Sequence, residues 1–104
     1  MVKEITEKEF NEIIKKPIAV VDFWAEWCPP CRMLAPIIEE LELKLKNITF
    51  AKIDIDKNKK LALRFSVEVV PTLLVFRKGR LIDRIIGAVP LEELEKKLKK
   101  SLSK

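Results

Sequence analysis

Apolar and polar positions follow different rhythms along this chain, and each change of rhythm marks an element. Thr6 followed three residues later by Glu9 has capping-box spacing. Phe10, Ile13 and Ile14 then share one helical face, and Pro17 closes this first helix. Residues 18–24 are almost continuously apolar, the pattern of a strand buried on both faces, and Asp22 alone interrupts them. From Pro29 to about Lys46 the spacing turns helical through Leu34, Ile37, Ile38, Leu41 and Leu45, with Pro36 inside predicting a kink. Residues 48–55 read as a second buried strand. Residues 57–65 read as a short helix carrying Leu61, Ala62 and Phe65. Asp54 and Asp56 have a spacing also found among metal-binding carboxylates, and we read them as caps of this helix.

Residues 72–76 and 81–86 form a predicted hairpin around Arg77-Lys78-Gly79-Arg80. Pro90 opens a last helix with its stripe at Leu91, Leu94, Leu98 and Leu102, and residues 2–5 offer an extra edge strand. Strand–helix–strand at this spacing implies a parallel crossover, and the hairpin adds antiparallel strands to the same sheet. The expectation is a three-layer α/β domain spanning residues 1–104 as one unit.

Composition narrows the function. The 104 residues are 48% hydrophobic and 36% charged, too apolar for disorder and too charged for a membrane protein. The net charge of +5 is interspersed, so no nucleic-acid partner is expected, and the lysines near the end complement a helix dipole. No apolar run reaches membrane-spanning length, and no signal-peptide pattern follows Met1, which points to a cytoplasmic protein without membrane contact. Gln is absent and Lys plus Glu number 28, a balance found in thermostable proteins. Histidine is absent too, which excludes histidine acid–base chemistry and histidine metal ligands.

The only two cysteines are Cys28 and Cys31, in Trp27-Cys28-Pro29-Pro30-Cys31-Arg32, where a strand passes into a helix. Unpaired N–H groups and partial positive charge at a helix start favour a thiolate. Cys28 is the expected nucleophile, and Cys31, deeper in the helix and more shielded, the resolving thiol. A zinc site remains open only if two chains share one metal, since this chain supplies two ligands. Two buried structural cysteines are the other alternative.

Residues 21–33, Val-Asp-Phe-Trp-Ala-Glu-Trp-Cys-Pro-Pro-Cys-Arg-Met, resemble the active-site stretch of the thioredoxin family. The likeness continues through Pro36, residues 51–56, residues 70–73, Gly79 and Gly87, and so covers essentially the whole chain. The resemblance implies a thioredoxin fold, a central mixed five-stranded sheet flanked by four helices. It implies reduction of protein disulfides by dithiol exchange, with a redox-active Cys28–Cys31 disulfide, no other cofactor, and no metal. A thioredoxin reductase would be the partner that recharges it, and a monomer is expected.

Asp22 matches the family's buried carboxylate and would take the proton from Cys31, with Lys52 approaching it. Desolvation independently predicts a raised pKa for Asp22. Pro71 matches the family's cis-proline facing the dithiol. Trp27, Pro30, Val70, Ile86, Gly87 and Ala88 would form an apolar substrate collar around it, with the Val70 backbone pairing to an extended peptide. The family commonly has Gly where this chain has Pro29, and a small residue where it has Val69. Pro29 would withhold a donor from Cys28, and Val69 would narrow the groove. The competing functions are a disulfide oxidase or isomerase on the same fold, a glutaredoxin-like protein, and a non-catalytic binding module.

Overall fold

Thr6 caps the first helix as its spacing requires: its side chain accepts from the Glu9 N–H, while the Glu9 carboxylate accepts from the Thr6 N–H. The computed structural model, which describes residues 2–103, runs in this order: β1 (Lys3–Glu4), α1 (Glu7–Ile13), β2 (Ala19–Trp24), α2 (Pro29–Lys44), β3 (Thr49–Asp54), α3 (Lys59–Arg64), β4 (Thr72–Arg77), β5 (Arg80–Ile86) and α4 (Leu91–Leu102). All the elements read from the pattern are present, most of them trimmed at their ends.

The sheet order is β1-β3-β2-β4-β5. β3 pairs in parallel with β1 and β2, while β4 runs antiparallel to β2 and to β5. β2 is thus central, which is why its sequence is apolar on both faces. The turn between β4 and β5 places Lys78 at φ 50° and Gly79 at φ 89°, the left-handed pair of a tight hairpin.

Period-two alternation divides the core. Val20, Phe50, Leu73 and Val75 pack against Leu34, Ile38 and Leu41 of α2 and Leu94 and Leu98 of α4. Val21, Phe23, Ile53, Leu74 and Phe76 pack on the opposite side against Phe10 of α1 and Leu61 of α3. Phe10 meets Phe23, Phe65 and Phe76 edge-to-face, with ring centroids 6.2, 5.4 and 5.6 Å away. Asp22 and Trp24 therefore project to the α2 side, as do Lys52 and Asp54 by their register with them.

The expected capping of α3 by Asp54 and Asp56 is not what forms. The helix starts two residues later than expected, behind Asn58, with no side-chain cap. Asp54 is buried, and its Oδ1 accepts from the Asp56 N–H at 2.8 Å, a local turn that competes with a cap. Asn58 Nδ2 donates to the Asp54 carbonyl at 3.0 Å.

Phe10 is fully buried at the centre of its aromatic cluster. Phe10→Ala is expected to cost about 3–5 kcal/mol of stability, measured by denaturant unfolding, because the surrounding rings cannot all collapse into the space.

Candidate active site

β2 ends at Trp24, and the chain turns through a buried Ala25 whose carbonyl accepts from the Cys28 N–H at 3.2 Å. Arg32, one turn into α2, reaches back to the Glu26 carbonyl at 2.6 Å and fixes the exposed part of this turn. Trp27 is 64% exposed but not loose, since its Nε1 donates to Asp56 Oδ2 at 2.8 Å. Asp56 thus serves Trp27 and not the cap of α3, a contact between residues 29 positions apart that no local pattern announces.

Cys28 is the N-cap of α2, with φ −101° and ψ 106°. Its Sγ accepts from the Cys31 N–H at 3.1 Å, the place a serine hydroxyl takes in an ordinary cap. The two cysteines are joined as a disulfide, with Cα atoms 5.3 Å apart. Exposure does not distinguish them: Cys28 is 2% and Cys31 3% exposed, which corrects the expectation that Cys31 is the more shielded. Their surroundings do. Cys28 Sγ lies 3.6 Å from the Val70 carbonyl oxygen, whereas Cys31 lines a cavity that leads to Asp22.

Pro29 and Pro30 occupy N1 and N2, where an N–H has no intrahelical acceptor, so the helix loses nothing by starting on them. A capping side chain draws its bond from N2 or N3 rather than N1. The donor withheld from Cys28 is therefore that of Pro30, not that of Pro29, which corrects the expectation.

Val70 faces the dithiol, and each carbonyl of residues 69–71 has a neighbour. Thr72 Oγ1 donates to Val69 O at 2.7 Å, Val70 O lies beside Cys28 Sγ, and the Gly87 N–H donates to Pro71 O at 2.9 Å. The Val70–Pro71 peptide is cis. Val70 is half-buried and Pro71 buried, while Pro30, Val69, Ile86 and Ala88 are exposed. Gly87 is held at φ 95°, and beyond its two chain neighbours nothing lies within 4 Å of where its Cβ would stand. Glycine is required there by the backbone angle, not by crowding within the chain.

Asp22 sits beneath α2 with 4% of its surface exposed, and burial raises its pKa to about 7 against the opposing pull of the Lys52 charge. Its Oδ1 has no hydrogen-bond partner, nor does Trp24 Nε1. Lys52 does not form an ion pair with Asp22 among the described residues; its ammonium lies 4.9 Å from the centroid of the Trp24 ring. Asp22, Trp24, Cys31, Arg32, Ala35 and Lys52 line a cavity of about 210 Å³, roomy enough for water between the carboxyl and the inner sulfur.

Sulfurs held one helical turn apart gain or lose two electrons as a unit, and a group that titrates near neutrality stands behind one of them. The fold and the site thus define a thiol–disulfide oxidoreductase. Relatives supply the family. The family model described as Thioredoxin matches residues 1–100. The chain is 45% identical to thioredoxin of Chlamydia pneumoniae over 87 residues, covering 84% of this chain and 85% of that one. It is 40% identical to thioredoxin of Staphylococcus haemolyticus (strain JCSC1435) over 100 residues, 95% and 96% of the two chains. The oxidised crystal structure of mitochondrial thioredoxin 3 from Saccharomyces cerevisiae superposes with a TM-score of 0.87 at 35% identity, covering 95% and 94%. The chain belongs to the thioredoxin family and is a protein-disulfide oxidoreductase. No helix among the described residues is long and apolar enough to cross a membrane.

Two outcomes test this geometry. From the ordinary carboxylate range up to about pH 7, folded Asp22 holds a proton that the unfolded chain releases, so its contribution lowers stability as pH rises through that window. Asp22→Asn is expected to exceed the parent in stability at about pH 8, by on the order of a few kcal/mol, and to lose that advantage toward about pH 4 in urea unfolding. At the other end of the site, ultraviolet titration of the thiolate should show Pro30→Ala lowering the Cys28 pKa more than Pro29→Gly does, since only the former restores a capping donor.

Proposed function

We propose that the chain works as a reductant of protein disulfides, with Cys28 as nucleophile and Cys31 as resolving thiol. The Cys28 thiolate attacks one sulfur of a target disulfide, forming a mixed disulfide and releasing the first target thiolate, which takes a proton. Cys31 then gives up its proton toward the Asp22 carboxylate through the cavity between them, and its sulfur attacks Cys28 Sγ. The Cys28–Cys31 bond forms, the mixed disulfide breaks, and the second target thiolate leaves. Two electrons have passed to the target. A thioredoxin reductase returns them, and the sulfurs themselves are the only redox group the cycle uses. A reducing compartment such as the cytoplasm suits this direction.

The observation that carries this reading is the unpartnered Asp22 oxygen on the same cavity wall as Cys31. A carboxyl that titrates near 7 accepts a proton from a thiol more readily than one at its ordinary value. Lys52 sets that value from below, by attracting the charged form. The target segment would lie along residues 69–71, bounded by Trp27 and Pro30 on one side and by Gly87 and Ala88 on the other, with the Val70 backbone offered for strand-like pairing.

Cys31→Ser separates the two steps. Mixing reduced Cys31→Ser with a protein disulfide is expected to accumulate a covalent adduct through Cys28, visible on a non-reducing gel, whereas Cys28→Ser accumulates none. An adduct formed through Cys31 in the Cys28→Ser variant and not the reverse would invert the assignment.

A further inference from the structure

The loop that faces the dithiol is gripped at both ends from a single strand. At its exit, the Gly87 N–H just beyond β5 holds Pro71 O. At its entry, Arg84 of β5 sends its guanidinium to the end of α3, with Nη2 2.6 Å from Phe65 O and Nη1 3.4 Å from Ser66 O. Ser66 adopts φ 55°, the left-handed angle that usually calls for glycine. Around it the α3 terminus closes by paired bonds, from the Ser66 N–H to Leu63 O at 3.0 Å and from the Val67 N–H to Ala62 O at 2.9 Å. This is a helix C-terminal motif with serine in the glycine position, and the side chain that takes up its outward carbonyls comes from β5. A positive charge at a helix C-terminus is favourable, and the planar fork lets one residue serve two carbonyls.

We propose that Arg84 is a positioning residue for substrate binding: by fixing residues 65–66 it sets where residues 67–71 present Val69 and the Val70 carbonyl to a protein disulfide. The inference rests on the reading of residues 69–71 as the target-facing loop. Arg84 lies on the α1–α3 side of the sheet, by its register opposite Leu74, so it touches neither sulfur nor Asp22. Its loss leaves the dithiol chemistry intact and loosens the surface against which a protein target is held. A small disulfide that needs no such surface is indifferent to it.

The test follows single-turnover oxidation of the pre-reduced protein by insulin, over a range of insulin concentrations, and by a small aromatic disulfide. Arg84→Ala is expected to raise the half-saturating insulin concentration about three- to tenfold, with the limiting rate and the small-disulfide rate unchanged. Arg84→Lys, which keeps the charge but serves one carbonyl at a time, should fall between the two and covers the case in which the alanine variant fails to fold. Adding Ser66→Gly to either variant should restore insulin binding, because glycine holds the positive φ unaided. Equal losses on both disulfides, an unchanged half-saturation in Arg84→Lys and Arg84→Ala, or no rescue by Ser66→Gly would each overturn the proposal. Failure of the parent protein to react with insulin at all would instead overturn the functional reading beneath it.

Discussion

A single hydrogen bond, from the Cys31 N–H to the Cys28 sulfur, serves the helix and the chemistry together. It starts α2, as any N-cap does. It also directs the first free donor of the helix at the sulfur proposed above as the nucleophile. With proline at both N1 and N2, no N–H lies between cap and Cys31, so this donor bears the whole of that duty. The rest of the site is arranged around it: Arg32 and Asp56 hold the turn before the cap, and Val70 O closes on the capping sulfur from outside.

Asp22 is where the fold gives up stability for a raised proton affinity. The central strand is apolar on both faces because helices cover it, and a carboxyl in that position is almost wholly withdrawn from bulk solvent, with its Oδ1 lacking a hydrogen-bond partner. A nearby lysine salt bridge would restore the charge and drop the pKa, yet Lys52 is drawn to the Trp24 ring instead. Attraction at longer range moderates the shift without abolishing it. The strand neighbours on the opposite face, Val21 and Phe23, pack in the aromatic core and hold β2 in place whatever the charge on Asp22. Stability and proton affinity are thereby assigned to opposite faces of one strand.

Much of this was legible in the sequence because it depends on local rules. The capping box at Thr6, the turn at Lys78-Gly79 and the stripe of α4 are fixed by neighbours a few residues apart, and all formed as read. Asp22 stood out because a lone carboxylate in an apolar strand has no local explanation. The misread features depend on partners far along the chain. Asp56 was assigned to a helix three residues away, but its partner is Trp27, 29 residues distant. Arg84 carries no local signal at all, since its role exists only once β5 lies beside the end of α3. The relative shielding of the two sulfurs escapes the sequence for the same reason, because the loop at Val70, 42 residues along the chain, closes on Cys28 in addition to its own helix.

The burial of both sulfurs decides what kind of molecule this site accepts. With only a few per cent of either cysteine exposed, a disulfide buried inside another folded domain has no route to Cys28. The target must bring its own disulfide out on a narrow, extended segment. Such a segment offers backbone groups along its whole length but side chains that differ from target to target. The main-chain atoms of residues 69–71, proposed above to meet the target, suit that common feature, and Trp27, Val69 and Ile86 leave apolar surface exposed beside them. On that proposal a loop ordered in advance serves better than an adaptable one. Every bit of ordering left until binding would be charged against a weak, unspecific contact. The hydrogen bonds from Thr72 and Gly87, and the fork of Arg84, complete that ordering before any target arrives.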